Sequence, residues 1–144
     1  MAGLVSPLAP IDPVLAELRR WASEPFDLAG DNCGLAVLRY ASATVGATVP
    51  VWLAVRLVGR CAARRLMRSR RAFVETSSLA MDLLGCPPTA EPKRGDVGLV
   101  DLDETGLTAC LCLGDGRWAS RGDQQVMIQS AEPLCAWSVS CPRP

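Results

Sequence analysis

The sequence predicts an α+β fold, with N-terminal helices packed on a small C-terminal antiparallel β-sheet. Two observations carry that expectation. Up to about residue 84 the apolar residues recur at spacings of three and four, and from Val97 onward they alternate at spacing two. A polar linker, Thr89 to Arg94, separates the two textures, and Gly- and Asp-rich turn signals punctuate the second. A length of 144 residues fits one compact domain, and a hydrophobic content of 49% gives it a core. The expected organisation is an extended arm over 1–12, one domain over 13–140 and a short tail over 141–144.

The arm is made of small residues and prolines without a period. Asp12-Pro13 then reads as a helix start, Asp12 as N-cap and Pro13 in the first position. Val14, Leu15, Leu18 and Trp21 fall on one face of this helix, and Pro25 ends it. Asp31 is expected to cap a second helix that runs to about Val45. Its apolar set is Leu35, Ala36, Leu38 and Ala43, and Gly46 is its stop. Pro50 opens a third helix with two distinct sides. Val51, Ala54, Val55, Val58, Ala62 and Leu66 form the apolar side, and Arg56, Arg60, Arg64 and Arg68 form the other at spacing four. Gly59 weakens its middle. A fourth helix covers Ala72 to Leu84 and is ended by Gly85 and Pro87-Pro88.

The strands follow. Val97, Leu99 and Val100 suggest the first, and Asp103 to Gly106 a turn. Leu107 to Leu113 alternates, with Leu107, Ala109, Leu111 and Leu113 on one side and Thr108, Cys110 and Cys112 on the other. Gly114-Asp115-Gly116 is a hairpin signal. Arg117 to Ser120, Gln125 to Gln129 and Cys135 to Val139 complete the sheet. No internal repeat and no low-complexity tract is visible.

Fifteen cations balance fifteen anions, so global electrostatics name no partner. The balance hides an asymmetry: seven arginines, at positions 56, 60, 64, 65, 68, 70 and 71, lie within sixteen residues. Such a stripe is either a solvated helix face, a contact for the phosphate backbone of nucleic acid, or a dock for an acidic partner surface. Trp52 and Phe73 flank it but no aromatic residue is interleaved, which disfavours stacking on single strands. The tryptophans at 21, 52, 118 and 137 read as core or interface anchors, and Arg121-Gly122-Asp123 as ordinary turn chemistry after a strand. The longest uncharged stretch, Tyr40 to Val55, is too short and too rich in Ser, Thr, Gly and Pro to span a membrane. Met1 to Pro7 lacks the basic start of a secretory signal, so free thiols in a reducing cytosol are expected.

Seven cysteines and no histidine make the most telling composition. Cys33, in Gly30-Asp31-Asn32-Cys33-Gly34, opens the second helix, where the positive end of the helix dipole favours a thiolate. A cysteine hydrolase also needs a base that takes the thiol proton and returns it to the leaving group. The chain has no histidine for that task. The plainer reading of Cys33 is a small buried residue at a helix start. Cys110 and Cys112 share one side of a strand and would begin a metal site completed by Cys135, Cys141 or Cys86. The Cys-x-x-Cys knuckle usual in zinc sites is missing. The plainer reading there is a pair of apolar cysteines beneath the helix layer.

In order, the motifs resemble the NlpC-type cell-wall peptidase superfamily, whose fold is papain-like, and in particular its short phage and gene-transfer-agent tail proteins. Trp21, Pro25-Phe26 and Gly30-Asp31-Asn32-Cys33 are similar to the family's approach to its nucleophile helix. Arg94-Gly95-Asp96-Val97-Gly98-Leu99-Val100 resembles its first strand, Ala109 to Gly116 its central strand and hairpin, and Ala136-Trp137-Ser138-Val139 the closing strand of the phage subgroup. The resemblance spans about residues 14–139. It implies Cys33 as the nucleophile position. The family's histidine falls on Thr108, six residues before Gly114, and its Asp before the cysteine falls on Asn32. Threonine is no base near neutral pH. The resemblance thus implies the fold without the reaction: a structural protein of a phage or phage-like tail tip or baseplate, made in the host cytoplasm and carried in the virion tail. Its expected partners are hub and distal tail proteins, or further copies in a ring. Arg56, Arg60, Arg64 and Arg68 would be the docking surface, no cofactor is expected, and nucleic acid is disfavoured. The alternatives are an active peptidoglycan hydrolase with Cys33 as nucleophile, Thr108 and Asp96 being its polar neighbours, and a metal module built on Cys110 and Cys112.

Overall fold

The computed structural model describes residues 12–24, 32–59, 61, 64–65, 68–102, 106–122 and 125–139. Its helices are α1 (Pro13–Ser23), α2 (Cys33–Val45), α3 (Val51–Leu57) and α4 (Arg70–Leu83), and Cys61, Arg64, Arg65 and Arg68 between α3 and α4 are helical as well. The strands are β1 (Val97–Leu102), β2 (Gly106–Gly114), β3 (Arg117–Arg121), β4 (Val126–Ser130) and β5 (Cys135–Trp137). The expected α+β class is therefore observed, helices first and strands second.

Asp12 caps α1 as expected: its Oδ1 accepts from the Val14 amide at 3.0 Å. Its Oδ2 accepts from Arg94 at 2.7 Å, so the residue assigned to the arm is tied to the domain. α1 buries Val14 and Trp21, and Leu15 faces solvent. The cap of α2 is Asn32, whose Oδ1 accepts from the Leu35 amide at 2.9 Å; the expected cap, Asp31, lies outside the described residues. α2 buries Ala36, Val37, Tyr40 and Ala41 and ends at Gly46, which adopts the left-handed conformation at φ 74°. α4 starts at Arg70, two residues earlier than expected, behind its cap Ser69.

α3 corrects the sequence reading. The helix ends at Leu57, and Gly59 has φ +113°, a conformation that breaks the helical phase. The apolar and basic sides drawn through residue 68 are therefore not continuous faces of one helix. The buried pair is Leu53 and Leu57, packed against Ala80. The expected core residues Val51, Val55 and Val58 are 78%, 70% and 59% exposed. Ala62, Leu66 and Arg60 lie outside the described residues.

The sheet is antiparallel throughout, in the order β4-β3-β2-β1-β5. Gly114-Asp115-Gly116 forms the β2–β3 turn, with φ of 93°, 55° and 72°. A β-bulge between Cys112 and Gly114 shifts the β2–β3 register there. Alternation along β2 is as expected, but both sides are buried. Ala109, Leu111 and Leu113 join Val97 and Leu99 in the core shared with α1 and α2. Cys110 and Cys112 face the other way, into a second cluster with Val100, Leu102, Trp118 and Ala136. Trp118 fills this second layer and donates from Nε1 to the Ala131 carbonyl at 3.1 Å. Its ring sits over Gly98, where an added Cβ would come within 2.9 Å of the ring and 2.8 Å of the Cys135 carbonyl. The two cysteines thus lie on the sheet face away from α2, not beneath the helices.

Three polar contacts lock the layers together. Buried Asp96 accepts from the amides of Lys93 and Val139, at 2.9 and 3.0 Å, and so joins the approach to β1 to the segment after β5. Tyr40 donates from its hydroxyl to the Gly95 carbonyl at 2.8 Å. Arg121, 3% exposed, donates to the carbonyls of Trp21 and Glu24 at 3.0 and 2.8 Å and caps the end of α1.

Candidate functional site

Cys33 is the first residue of α2, and the carboxamide cap of Asn32 fixes the helix start around it. The residue lines a cavity of about 140 Å³ between α2, α3, α4 and the strands β1, β2 and β5. The walls are mainly apolar, with Leu57, Phe73, Met81, Leu99 and Trp137 among them; Asn32, Thr76 and Ser77 supply the polar side chains.

The residue is half-buried, and its thiol lines the cavity. Burial pushes its pKa up from the ordinary thiol value, and the nearby amides of Ala109, Gly34 and Cys33 itself offset only part of that. The helix start was expected to favour a thiolate. Here the opposing effect wins, because desolvation of a charged sulfur outweighs a helix terminus and neighbouring amides. A thiol of this kind is protonated at neutral pH.

The β2 residue that shares the cavity with Cys33 is Ala109. Thr108 is buried and donates from Oγ1 to the Gly106 carbonyl at 3.0 Å. Strand alternation sends its side chain to the same face as Cys110, away from α2. The alternation of β2 groups Ala109, not Thr108, with the core-facing leucines. Asp96 is not part of the cavity; both of its oxygens bond backbone amides.

Cys86 and Cys135 pack with the helix-side core, across the sheet from Cys110 and Cys112. Among the described residues no group of three or more Cys, Asp or Glu side chains is placed to hold a metal ion. Burial raises the pKa of Cys86, Cys110, Cys112 and Cys135 as well, so these thiols behave as apolar side chains. Cys141 lies outside the described residues. The described cysteines, Cys61 included, are free thiols.

The arginines divide. Arg70 pairs with Asp101 at 2.6 Å and Arg71 with Glu75 at 2.8 Å. The Arg56 guanidinium lies 5.7 Å from the centroid of the Trp52 ring. Arg64, Arg65 and Arg68 are exposed. No helix among the described residues is long and apolar enough to cross a membrane.

A family model described as domain of unknown function (DUF6950) matches residues 12–139, and the chain belongs to that family. The match starts at the cap of α1 and ends at the residue that Asp96 holds, so it covers the domain described above. No curated protein matches the sequence.

Proposed function

We propose that this chain is a non-catalytic building block of a phage or phage-like tail tip or baseplate, built on a degenerate NlpC-type fold. The observation that carries the inert half of this reading is the state of Cys33. Its thiol lines a mainly apolar cavity and burial favours its protonated form, and Ala109, the β2 residue that shares the cavity, is no base. The sequence contains no histidine to supply one from elsewhere in the chain. The order of motifs across Trp21, Cys33, Gly95-Asp96 and Gly114-Asp115-Gly116 supports the tail-protein half by resemblance, and a fold alone does not fix function. The exposed apolar and basic surface around α3 supports a life in contact with other subunits.

The test is composition. Particles purified from a producing strain, analysed by mass spectrometry and cross-linking, are expected to contain the chain in stoichiometric amount, cross-linked to tail-tip proteins. Particles that lack the chain while it accumulates free in the cell would overturn the proposal.

A further inference from the structure

Charge is segregated along this chain. From Asn32 to Val74 there are eight arginines and no acidic residue. All fifteen acids, against the seven remaining cations, lie outside that stretch. The molecule is neutral as a whole and complementary to itself in parts.

The basic part carries an apolar ridge. Val51 and Val55 stand out from α3 at a spacing of four, Val58 is exposed at its extended C-cap, and exposed Trp52 holds Arg56 across its ring. No carboxylate among the described residues pairs with Arg64, Arg65 or Arg68. Solvated arginines alone need no explanation, but three exposed valines and a tryptophan beside them do. An α3-to-α3 contact between two copies would bring the arginine clusters together, so the matching surface has to be acidic.

A surface with that character exists on the same chain. β4 is an edge strand, and its residues, Val126 to Ser130, include no charge that would guard its free backbone groups. Ile128 on it is an exposed apolar residue. Exposed Asp115 and Glu132 lie near its end, where Arg117 pairs across from Ser130, and neighbouring Arg94 is neutralised by Asp12. The Ala131 amide bonds the Gly116 carbonyl, which brings the Asp115 turn next to the end of β4.

The two surfaces lie toward opposite edges of the sheet. α3 reaches the β1 and β5 side, where Leu57 shares the cavity with Val97 and Trp137. β4 closes the other edge and packs against α1. We infer that copies of this chain associate head to tail, the α3 ridge of one seated on the β4 edge of the next. A heterologous contact of this kind closes into a ring or runs on as a filament. The inference extends the building-block reading without needing it. A chain that stays monomeric but is found in tails removes the inference and leaves that reading intact.

The experiment is light scattering with sedimentation velocity on the full chain and on two surface variants, Val55→Glu and Ile128→Glu, each checked for native circular dichroism. Wild type is expected to assemble beyond its 15.3 kDa monomer as concentration rises, with assembly weakened by salt. Each variant alone is expected to stay monomeric. Mixed, they are expected to form a 1:1 pair and nothing larger, because each retains the surface that the other has lost. The double variant Arg64→Glu/Arg68→Glu, far from the core, repeats the Val55→Glu result should that chain fail to fold. A monomeric wild type, a variant that assembles alone, or a mixture that stays monomeric would overturn the inference.

Discussion

Cys33 and Ala109 face one another across a single cavity, the first residue of α2 against the middle of β2. The amide of Ala109 is the polar group that the strand turns toward the sulfur, and burial outweighs it. In this arrangement the β2 side chain beside the sulfur is no base. It leads first to a prediction about reactivity. In the native protein at neutral pH, iodoacetamide is expected to modify exposed Cys61 well before Cys33, as followed by peptide mass spectrometry. Preferential labelling of Cys33 would indicate a depressed thiol pKa and contradict the account.

Alkaline stability should fall. Five thiols, Cys33, Cys86, Cys110, Cys112 and Cys135, have folded pKa values raised by burial. Above an unfolded thiol pKa of about 8.5, the unfolded chain loses protons that the folded chain keeps, so unfolding gains free energy as pH rises. Urea midpoints are expected to be flat between pH 6 and 8, as set by that onset near about 8.5, and to decline above it. At the acid end, Asp12 works with the opposite sign. The Arg94 guanidinium lowers its pKa, so its contribution is present above the ordinary carboxylate value and is lost as pH falls through the folded one. That contribution is small because the pair is exposed.

Gly98→Ala should destabilise the domain by roughly 1–3 kcal/mol, the usual range for overpacking. The new methyl would meet the Trp118 ring at 2.9 Å and the Cys135 carbonyl at 2.8 Å. Both neighbours are held, the ring by its bond to Ala131 and the carbonyl by the β1–β5 pairing. Thermal denaturation of this variant against Gly106→Ala is the comparison. Gly106 has open space around it, so its substitution tests the φ of 74° alone.

Arg121→Met should cost about 2–3 kcal/mol, because it keeps the aliphatic stem but strips the carbonyls of Trp21 and Glu24 of a charged donor. Loss of α1 protection in hydrogen exchange, ahead of the sheet, would identify the cap as the cause.

The strong periodic signals were legible in the sequence. Asp12-Pro13 opened α1, Gly46 and Gly85 closed helices, and Gly114-Asp115-Gly116 turned the hairpin, because each rests on local backbone chemistry. The α3 face is not legible, for a physical reason. Its apolar period runs on through Gly59, which leaves the helical region, and so it points to the valines while Leu53 and Leu57 occupy the core. β2 misled differently. Alternation marks two sides but does not say that both are buried, and the second layer exists because Trp118 folds over Gly98. Cys33 was found by its place at a helix start. Its apolar surroundings come from Phe73, Leu57 and Trp137, residues distant in sequence that no local motif announces.

Cell-wall turnover by the purified chain is the direct test of whether Cys33 is inert. Peptidoglycan incubated with wild type and with Cys33→Ala, both shown to be folded, is analysed for released muropeptides. No release above background is expected from either protein. Cleavage by wild type that Cys33→Ala abolishes would contradict that and restore Cys33 as a working nucleophile.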